Sequence, residues 1–374
     1  MSVIIEEVSF ERGISEFINF PHDLYADDKF YVPEIYMGQK DMMNPDKYPF
    51  HLNGKVRYYI AKKNKKIVGR IAAINNKNYN LHHDSNVGFF GFFDAIEDQD
   101  VVDALLNKAK IFAKENGHEY LMGPTNFTTN ETAGILIEGF DDSPKILMTY
   151  NKPYYGNVLE NYGLKKEMDL YAFMIYTSKA SEKSLRLADA LQERLKNKGI
   201  TIRNVNLKEL DNEAKSIQKI YNDAWEKNWG FVPFTDAEFN YLKNDLKMLI
   251  DPKFAYIAEK NGEPIGFGLT LPNINEILIR NKRGKLFPFG IFRLLFGKNK
   301  TKFVRIIALG VLAEYRKMGI EAIFFAKNIQ EAKRRGITGG EASWVLENND
   351  AMVAAANQLG GERYKTYRLY KMKI

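Results

Sequence analysis

The C-terminal half of the chain alternates short β-rich runs with segments of helical spacing. Phe254–Lys260 and Pro264–Leu271 read as a β-hairpin around the Asn261-Gly262 turn, and Phe303–Leu312 reads as a third strand. A helix is predicted over Ile320–Arg335 and a short strand near Glu341. A small helix over Asn349–Leu359 and a final strand over Tyr364–Met372 complete the half. Ahead of the hairpin, Leu187, Leu191 and Leu195 recur at helical spacing and predict one buried face, with Gly199 as the stop. Thr235-Asp-Ala-Glu238 is a capping-box sequence that opens another helix, which ends before Asp251-Pro252. The N-terminal half runs similarly. Strands are predicted at Val56–Lys62, Ile67–Ile74 and Val87–Phe93, followed by a helix at Gln99–Asn116 and a strand at Tyr120–Gly123. A helix around Tyr154–Tyr162 and a strand around Leu170–Tyr176 close it. Each half is α/β with mixed strands.

An internal repeat accounts for the common order. Tyr59-Ile60-Ala61-Lys62-Lys63-Asn64 recurs as Tyr256-Ile257-Ala258-Glu259-Lys260-Asn261, with five of six residues identical at an offset of 197. At the same offset Val68-Gly69 returns as Ile265-Gly266, and Gly163 returns as Gly360. The chain therefore reads as a duplicated fold. The join falls in the polar run Tyr176–Ser184, which gives expected domains over 1–178 and 179–374.

Composition narrows the function classes. A length of 374 residues suits two domains, and 45% hydrophobic with 27% charged residues excludes a disordered chain. The net charge of +7 favours anionic partners without choosing among nucleotide phosphates, anionic lipid and nucleic acid. The absence of cysteine excludes a disulfide framework, a thiolate nucleophile and Cys-ligated zinc or iron–sulfur sites. The five histidines are scattered except for His82-His83, and adjacent loop residues seldom converge on one ion, so no metal site is expected. Two acids follow a three-residue apolar run at the start, unlike a secretory leader. The dense apolar stretch Leu286–Phe296 is too short to span a bilayer. A cytoplasmic protein is expected.

The sharpest chemical signal is Leu309–Phe325, where a β-run ends in a basic turn and a glycine opens an apolar helix. Amides at a helix N-terminus lack partners and sit at the positive end of the dipole, so Lys317 to Glu321 read as an anion site. Gly319 lets backbone approach a phosphate, and Arg316 and Lys317 add charge; an ordinary strand–turn–helix is the competing reading. The segment Arg316-Lys317-Met318-Gly319-Ile320-Glu321 resembles motif A of the GNAT superfamily of acyl-CoA N-acyltransferases, Arg/Gln-x-x-Gly-x-Gly/Ala. Glu347-Asn348-Asn349 followed by Leu359-Gly360-Gly361 resembles its motif B, and the hairpin at Tyr256–Leu271 fits its early strands. The resemblance covers most of residues 200–374 in the expected order. It implies two tandem GNAT-like domains of α/β (α+β) class, each a mixed, mainly antiparallel sheet flanked by helices.

Further implications concern the site. The resemblance implies that Arg316, Lys317, Met318, Gly319, Ile320 and Glu321 hold the pyrophosphate of acetyl-CoA or a longer acyl-CoA. The pantetheine arm would pair with strand 303–312 at Leu309 and Val311, and Asn349 would add a contact. The Val311 amide would polarise the thioester carbonyl while an amine attacks, assisted by a base and an acid. Two departures stand out. Glu321 replaces the last Gly/Ala of motif A, and no tyrosine stands seven residues after the motif-B asparagine, where Ala355 and Ala356 fall. Glu341 and Glu347 are the candidate bases, although carboxylates of this kind are more commonly solvated.

The first half reads as a decayed copy. Asp94, Glu97, Asp98 and Asp100 fall where the phosphate turn belongs and would repel a pyrophosphate. The polar run Gly123–Thr132 reads as either a functional loop or a solvated turn. The apolar-basic insert Arg283–Lys298 has three readings: a wall for a long acyl chain, a peripheral membrane contact, or a loop packed on the first domain. The expected function is acyl-CoA-dependent N-acylation of an amine. Alternatives are a non-catalytic acyl-CoA-binding protein, an aminoacyl-tRNA-dependent transferase, and a lipid-amine, ceramide-synthase-like acyltransferase. Basic residues are spread through both halves, so a nucleic-acid partner is not expected.

Overall fold

The computed structural model describes residues 2–374, apart from the side chain of Lys282. Its contacts form two compact units: 1–170 with 275–295 and 365–374, and 171–274 with 296–364. These units are not simply the two sequence halves, because an internal segment and the last strand group with the first unit.

The first part of the chain contains β1 (Ile4–Val8), α1 (Ile14–Leu24), α2 (Tyr36–Met42), β2 (Gly54–Lys63) and β3 (Lys66–Asn76). Next come α3 (Lys77–His83), β4 (Val87–Ala95), α4 (Gln99–Glu115), β5 (Tyr120–Gly123), β6 (Thr125–Asn126) and β7 (Thr132–Ala133). β8 (Ile135–Glu138), α5 (Tyr155–Asn161) and β9 (Lys165–Tyr176) follow. The chain continues through α6 (Glu182–Lys196), β10 (Ile200–Asn204), α7 (Leu210–Trp225), α8 (Asp236–Leu246), β11 (Ala255–Lys260) and β12 (Glu263–Pro272). Then come α9 (Asn275–Leu278), α10 (Gly290–Gly297), β13 (Phe303–Val311) and α11 (Ile320–Arg334). β14 (Gly339–Leu346), α12 (Asp350–Gln358) and β15 (Glu362–Lys373) end it.

In the first unit the strand order is β1-β2-β3-β4-β5-β15, antiparallel along β1 to β4, with β4 and β5 parallel. β15 pairs antiparallel with β5 and β8, which ties the last strand to this unit. Asp98 caps α4, whose Val101, Val102, Leu105, Leu106, Ala109 and Phe112 follow helical spacing and bury against Tyr59, Ala61, Ile71 and Phe90.

The second unit repeats this plan. Its order β10-β11-β12-β13-β14 is antiparallel except for the parallel pair β13 and β14. α11 packs Ile320, Ile323 and Phe324 against Tyr256, Ala258, Ile265 and Val311. A second cluster joins Ile220, Tyr221 and Ala224 of α7 to Phe231 and Phe267. Corresponding registers match the repeat: Ala61 faces Gly69 as Ala258 faces Gly266, and both hairpins slip one residue later. Gly69 then faces Ala95 as Gly266 faces Val311, which makes Ala95 the counterpart of Val311.

Some expectations need correction. Leu187 is 61% exposed; α6 buries Leu185, Ala188 and Leu195 instead, with Leu191 partly buried. The buried stripe includes an alanine, which a leucine-only count misses. β1, α1 and β10 were not anticipated, being short or mixed in polarity. The four acids also do not line up at one helix start. Asp94 lies inside β4 and is buried, whereas Asp98 is the cap of α4.

Candidate active site

β13 pairs with β14 only from Phe303/Gly339 to Ile306/Ala342. Beyond that point β13 continues to Val311 without β14 alongside, so the two strands splay. On its other side, the β12 register slips between Leu269 and Thr270, leaving Ile307 as an unpaired bulge. The Leu312 N–H donates to the Ile265 carbonyl at 2.9 Å. Gly266 and Val311 are therefore a non-hydrogen-bonded pair, and the antiparallel alternation turns the N–H and C=O of Val311 and Leu309 away from β12. Both residues face the open edge. Their carbonyls have partners there: Trp225 Nε1 donates to Leu309 O at 3.1 Å, and Arg316 Nε donates to Val311 O at 3.2 Å.

The turn after β13 leads into α11. Lys317 has φ +64 and Gly319 has φ +82; both are left-handed, and Gly319 is the N-cap. No side chain caps α11, so the amides at its N-terminus point outward unpartnered among the described residues. A Cβ at Gly319 would lie 2.5 Å from Leu191 Cδ2, so that side of the turn faces α6. Arg316 is exposed, yet its guanidinium also donates to the Ala224 carbonyl at 2.5 Å. It thus ties the end of α7 to the end of β13. Lys317 is exposed, Met318 half-buried and Ile320 fully buried. Glu321 is half-buried in the first helical turn, where the dipole favours a carboxylate.

Glu341 is not a solvated carboxylate. It is 0% exposed and lies opposite Arg305 in the parallel register. Ser343 Oγ donates to Glu341 Oε1 at 2.5 Å, Arg305 Nε stands 3.5 Å from the same oxygen, and the Tyr364 hydroxyl donates to Oε2. Arg305 also donates to Ser343 Oγ at 2.8 Å and to Ser343 O at 3.1 Å. This network begins where β13 and β14 part. Glu347 lies half-buried just after β14. Asn349 caps α12 by accepting from the Met352 amide at 3.1 Å, so its side-chain oxygen serves its own helix.

The first unit offers an internal comparison. β4 and β5 also part, after Phe89/Met122. Here, however, the edge is filled by the chain itself. The Ala95 N–H donates to the Tyr155 hydroxyl at 3.0 Å, and the Ala95 carbonyl accepts from Tyr154 at 2.7 Å. The Phe92 N–H donates to Asn126 Oδ1 at 2.7 Å, and any side chain at Gly91 would overlap the Thr125 carbonyl. The run Gly123–Thr132 is therefore not a solvated turn; Thr125, Phe127 and Thr128 are buried. Asp94 accepts from Arg70 at 2.9 Å and from Tyr25 and Tyr155 at 3.0 and 3.1 Å. Burial pushes the Asp94 carboxyl above its ordinary range, against the pull of Arg70 and the hydroxyls. Burial also pushes Tyr25 and Tyr155 well above the tyrosine range, so these hydroxyls stay protonated.

Several of these residues carry no sequence signal. Tyr154, Tyr155, Trp225, Ser343 and Tyr364 act through tertiary placement, and only the order of strands could have pointed to them. His82 is exposed at the end of α3, and no group of metal-ligating side chains occurs among the described residues.

Comparison with known proteins supplies the family. Residues 214–360 match the acetyltransferase (GNAT) family. The chain is 34% identical over 372 residues to Protein YghO of Escherichia coli, covering 97% of this chain and 94% of that protein. It is also 34% identical over 372 residues to the bacterial ceramide synthase of Caulobacter vibrioides, covering 96% and 95%. Among solved structures, a tandem GNAT protein from the clavulanic acid biosynthesis pathway superposes with a TM-score of 0.60 at 11% identity, covering 100% of this chain and 98% of that one. A GCN5-related N-acetyltransferase from Sphaerobacter thermophilus gives 0.53 at 13% identity, covering 99% and 95%.

Proposed function

Because the chain belongs to the acetyltransferase (GNAT) family and is an N-acyltransferase of tandem GNAT fold, we propose that it transfers a long acyl chain from acyl-CoA to a lipid amine. The acceptor class is suggested by the ceramide synthase of Caulobacter vibrioides, to which this chain is similar along nearly its whole length. The observation that carries the site is the contrast between the two units. The Val311 amide faces an open edge beside an uncapped helix N-terminus, whereas its counterpart at Ala95 is closed by Tyr155.

In this reading residues 179–374 form the transferase domain and 1–178 a degenerate copy that does not bind CoA. The amides from Lys317 to Glu321 receive the pyrophosphate, with Lys317 adding charge. The pantetheine arm lies along β13 at Leu309 and Val311. The amine nitrogen attacks the thioester carbon, and the C–O π pair moves onto oxygen, where the Val311 N–H stabilises it. Collapse breaks the C–S bond and releases the CoA thiolate, which takes a proton from solvent water. The attacking amine must lose a proton. Glu341 is fully buried, so the half-buried Tyr364 hydroxyl hands that proton on to it, accepting from the amine as it donates to the carboxylate.

The test is a matrix of acetyl-CoA and palmitoyl-CoA against a long-chain amino alcohol and small amines. Free CoA and amide product are measured together. Amide from palmitoyl-CoA and the long-chain amino alcohol is expected. Preferred turnover of acetyl-CoA with small amines would refute the lipid acceptor. Absence of turnover in every combination, despite CoA raising the melting temperature, would favour a binding protein.

A further inference from the structure

One stretch concentrates charge and apolar surface that the transfer site does not use. Between Ile277 and Ala313 stand nine Lys and Arg and no Asp or Glu, which exceeds the net +7 of the whole chain. Arg305 is spent on Glu341, Arg283 on Asp23, and Lys298 donates to the Met248 carbonyl. Arg280, Lys285, Arg293 and Lys300 are exposed and have no carboxylate partner among the described residues.

Aromatic rings are interleaved with these cations. Phe287, Phe289, Phe292 and Phe296 are 67%, 70%, 57% and 75% exposed, and among the described residues every exposed phenylalanine lies in these ten positions. Within α10, Phe292, Leu295 and Phe296 share one face at i, i+3 and i+4, while Gly290 and Leu294 are buried. The start of the segment is anchored. Arg283 pairs with Asp23 of α1, and Gly284 packs so closely on the Glu34 carbonyl that no side chain would fit. Among the described residues no helix is long and apolar enough to cross a membrane.

We propose that residues 285–300 form an interfacial docking segment for an anionic bilayer. The phenyl rings enter the boundary between headgroups and acyl chains, and Lys285, Arg293 and Lys300 pair with lipid phosphates. Charge complementarity selects this partner: Lys285, Arg293, Lys298 and Lys300 flank and interrupt the ring cluster with no acid among them, the composition of a basic amphipathic surface element. The proposal stands apart from the acyl-transfer reading, and its test needs no turnover.

The full-length protein is sedimented with phosphatidylcholine vesicles, with and without phosphatidylglycerol, at low and high salt. Two variants are compared: Phe287→Ser/Phe289→Ser/Phe292→Ser/Phe296→Ser and Lys285→Glu/Arg293→Glu. Circular dichroism melts confirm that both remain folded. The expected result is binding to phosphatidylglycerol vesicles that falls about tenfold or more in each variant and weakens with salt. Wild-type protein left in the supernatant would overturn the proposal. So would equal binding to neutral vesicles, or aromatic-variant binding equal to wild type. A wild-type dimer that the phenylalanine variant converts to monomer, without vesicle binding, would assign the patch to a second copy instead.

Discussion

Replacing Glu341 with glutamine separates its chemical role from its structural one. The carboxylate is fully buried, with Arg305 opposite, Ser343 on one oxygen and Tyr364 on the other. Breaking a buried ion pair from one side commonly costs about 3–5 kcal/mol, because the remaining charge is left uncompensated. Here Arg305 keeps two bonds to Ser343, and glutamine retains one oxygen, so a loss of about 2–3 kcal/mol is expected. At roughly 2–4 °C per kcal/mol, the melting temperature should fall by about 4–12 °C. That leaves the protein folded at an assay temperature chosen well below the transition. If Glu341 receives the amine proton, kcat should drop by about a hundredfold or more while KM for acyl-CoA changes little. Tyr364→Phe should reproduce the rate loss with a smaller stability cost, since only the relay hydroxyl goes. A folded Glu341→Gln protein with kcat within about twofold of wild type would refute the relay and leave Glu341 a structural carboxylate.

Other outcomes follow from local geometry. Gly319→Ala should cost about 1–2 kcal/mol for its left-handed backbone, with Leu191 also displaced, and should reduce the thermal shift given by CoA. Differential scanning fluorimetry with and without CoA reads both effects. A larger residue at position 319 would press first on α6, so thermal stability alone would not isolate the anion site. Tyr155→Phe removes bonds to Ala95 and Asp94 and should destabilise by about 1–3 kcal/mol in urea titration, while leaving the CoA thermal shift unchanged. His22 is buried, and burial first, then the charges of Arg70 and Arg283, lowers its pKa to about 4 from 6.5. A depressed folded pKa means that the unfolded chain binds the proton first. Stability should therefore fall as pH drops from 6.5 toward 4 and level off below, by roughly 3 kcal/mol at most. The wild-type urea midpoint should fall further than that of His22→Gln across that range if this sign is right.

What the sequence disclosed depended on how local the cause was. The hairpins, the αL glycine and the helix after it are set by neighbouring residues, and Gly319 and Ile320–Arg334 follow those cues. Val311 entered through the family resemblance, and its turn toward the open edge follows only once the pairing with β12 is known. Asn349 carried a helix-capping signal, Asn before Asp350 and an apolar run, that the family pattern overshadowed. Other features had no local cause. Tyr155 reaches Ala95 across sixty positions, and Trp225 reaches Leu309 across eighty-four, so neither shows up as spacing or periodicity. Burial of Glu341 likewise depends on Arg305 and Tyr364 arriving from separate strands.

The same distinction explains why the two copies diverged without losing their register. Strand pairing fixes Ala95 and Val311 at equivalent positions, and it tolerates any side chain that fits the pleat. The open edge is less constrained, because its N–H groups face outward and donate to whatever acceptor arrives. In the first unit that group is Tyr155, held by Asp94, whose charge is balanced by Arg70. A buried carboxylate needs such partners, and Arg70, Tyr25 and Tyr155 supply them to Asp94 as they fill the space beside the edge. Gly310 holds the corresponding place in β13 and brings no charge to bury. An acid at that position is enough to account for a closed edge in one copy and an open one in the other. Gly310→Asp would import the charge without Arg70 or the tyrosines. It should destabilise the second unit by about 3 kcal/mol or more and abolish CoA binding, whereas a stable variant with an intact CoA thermal shift would contradict this account.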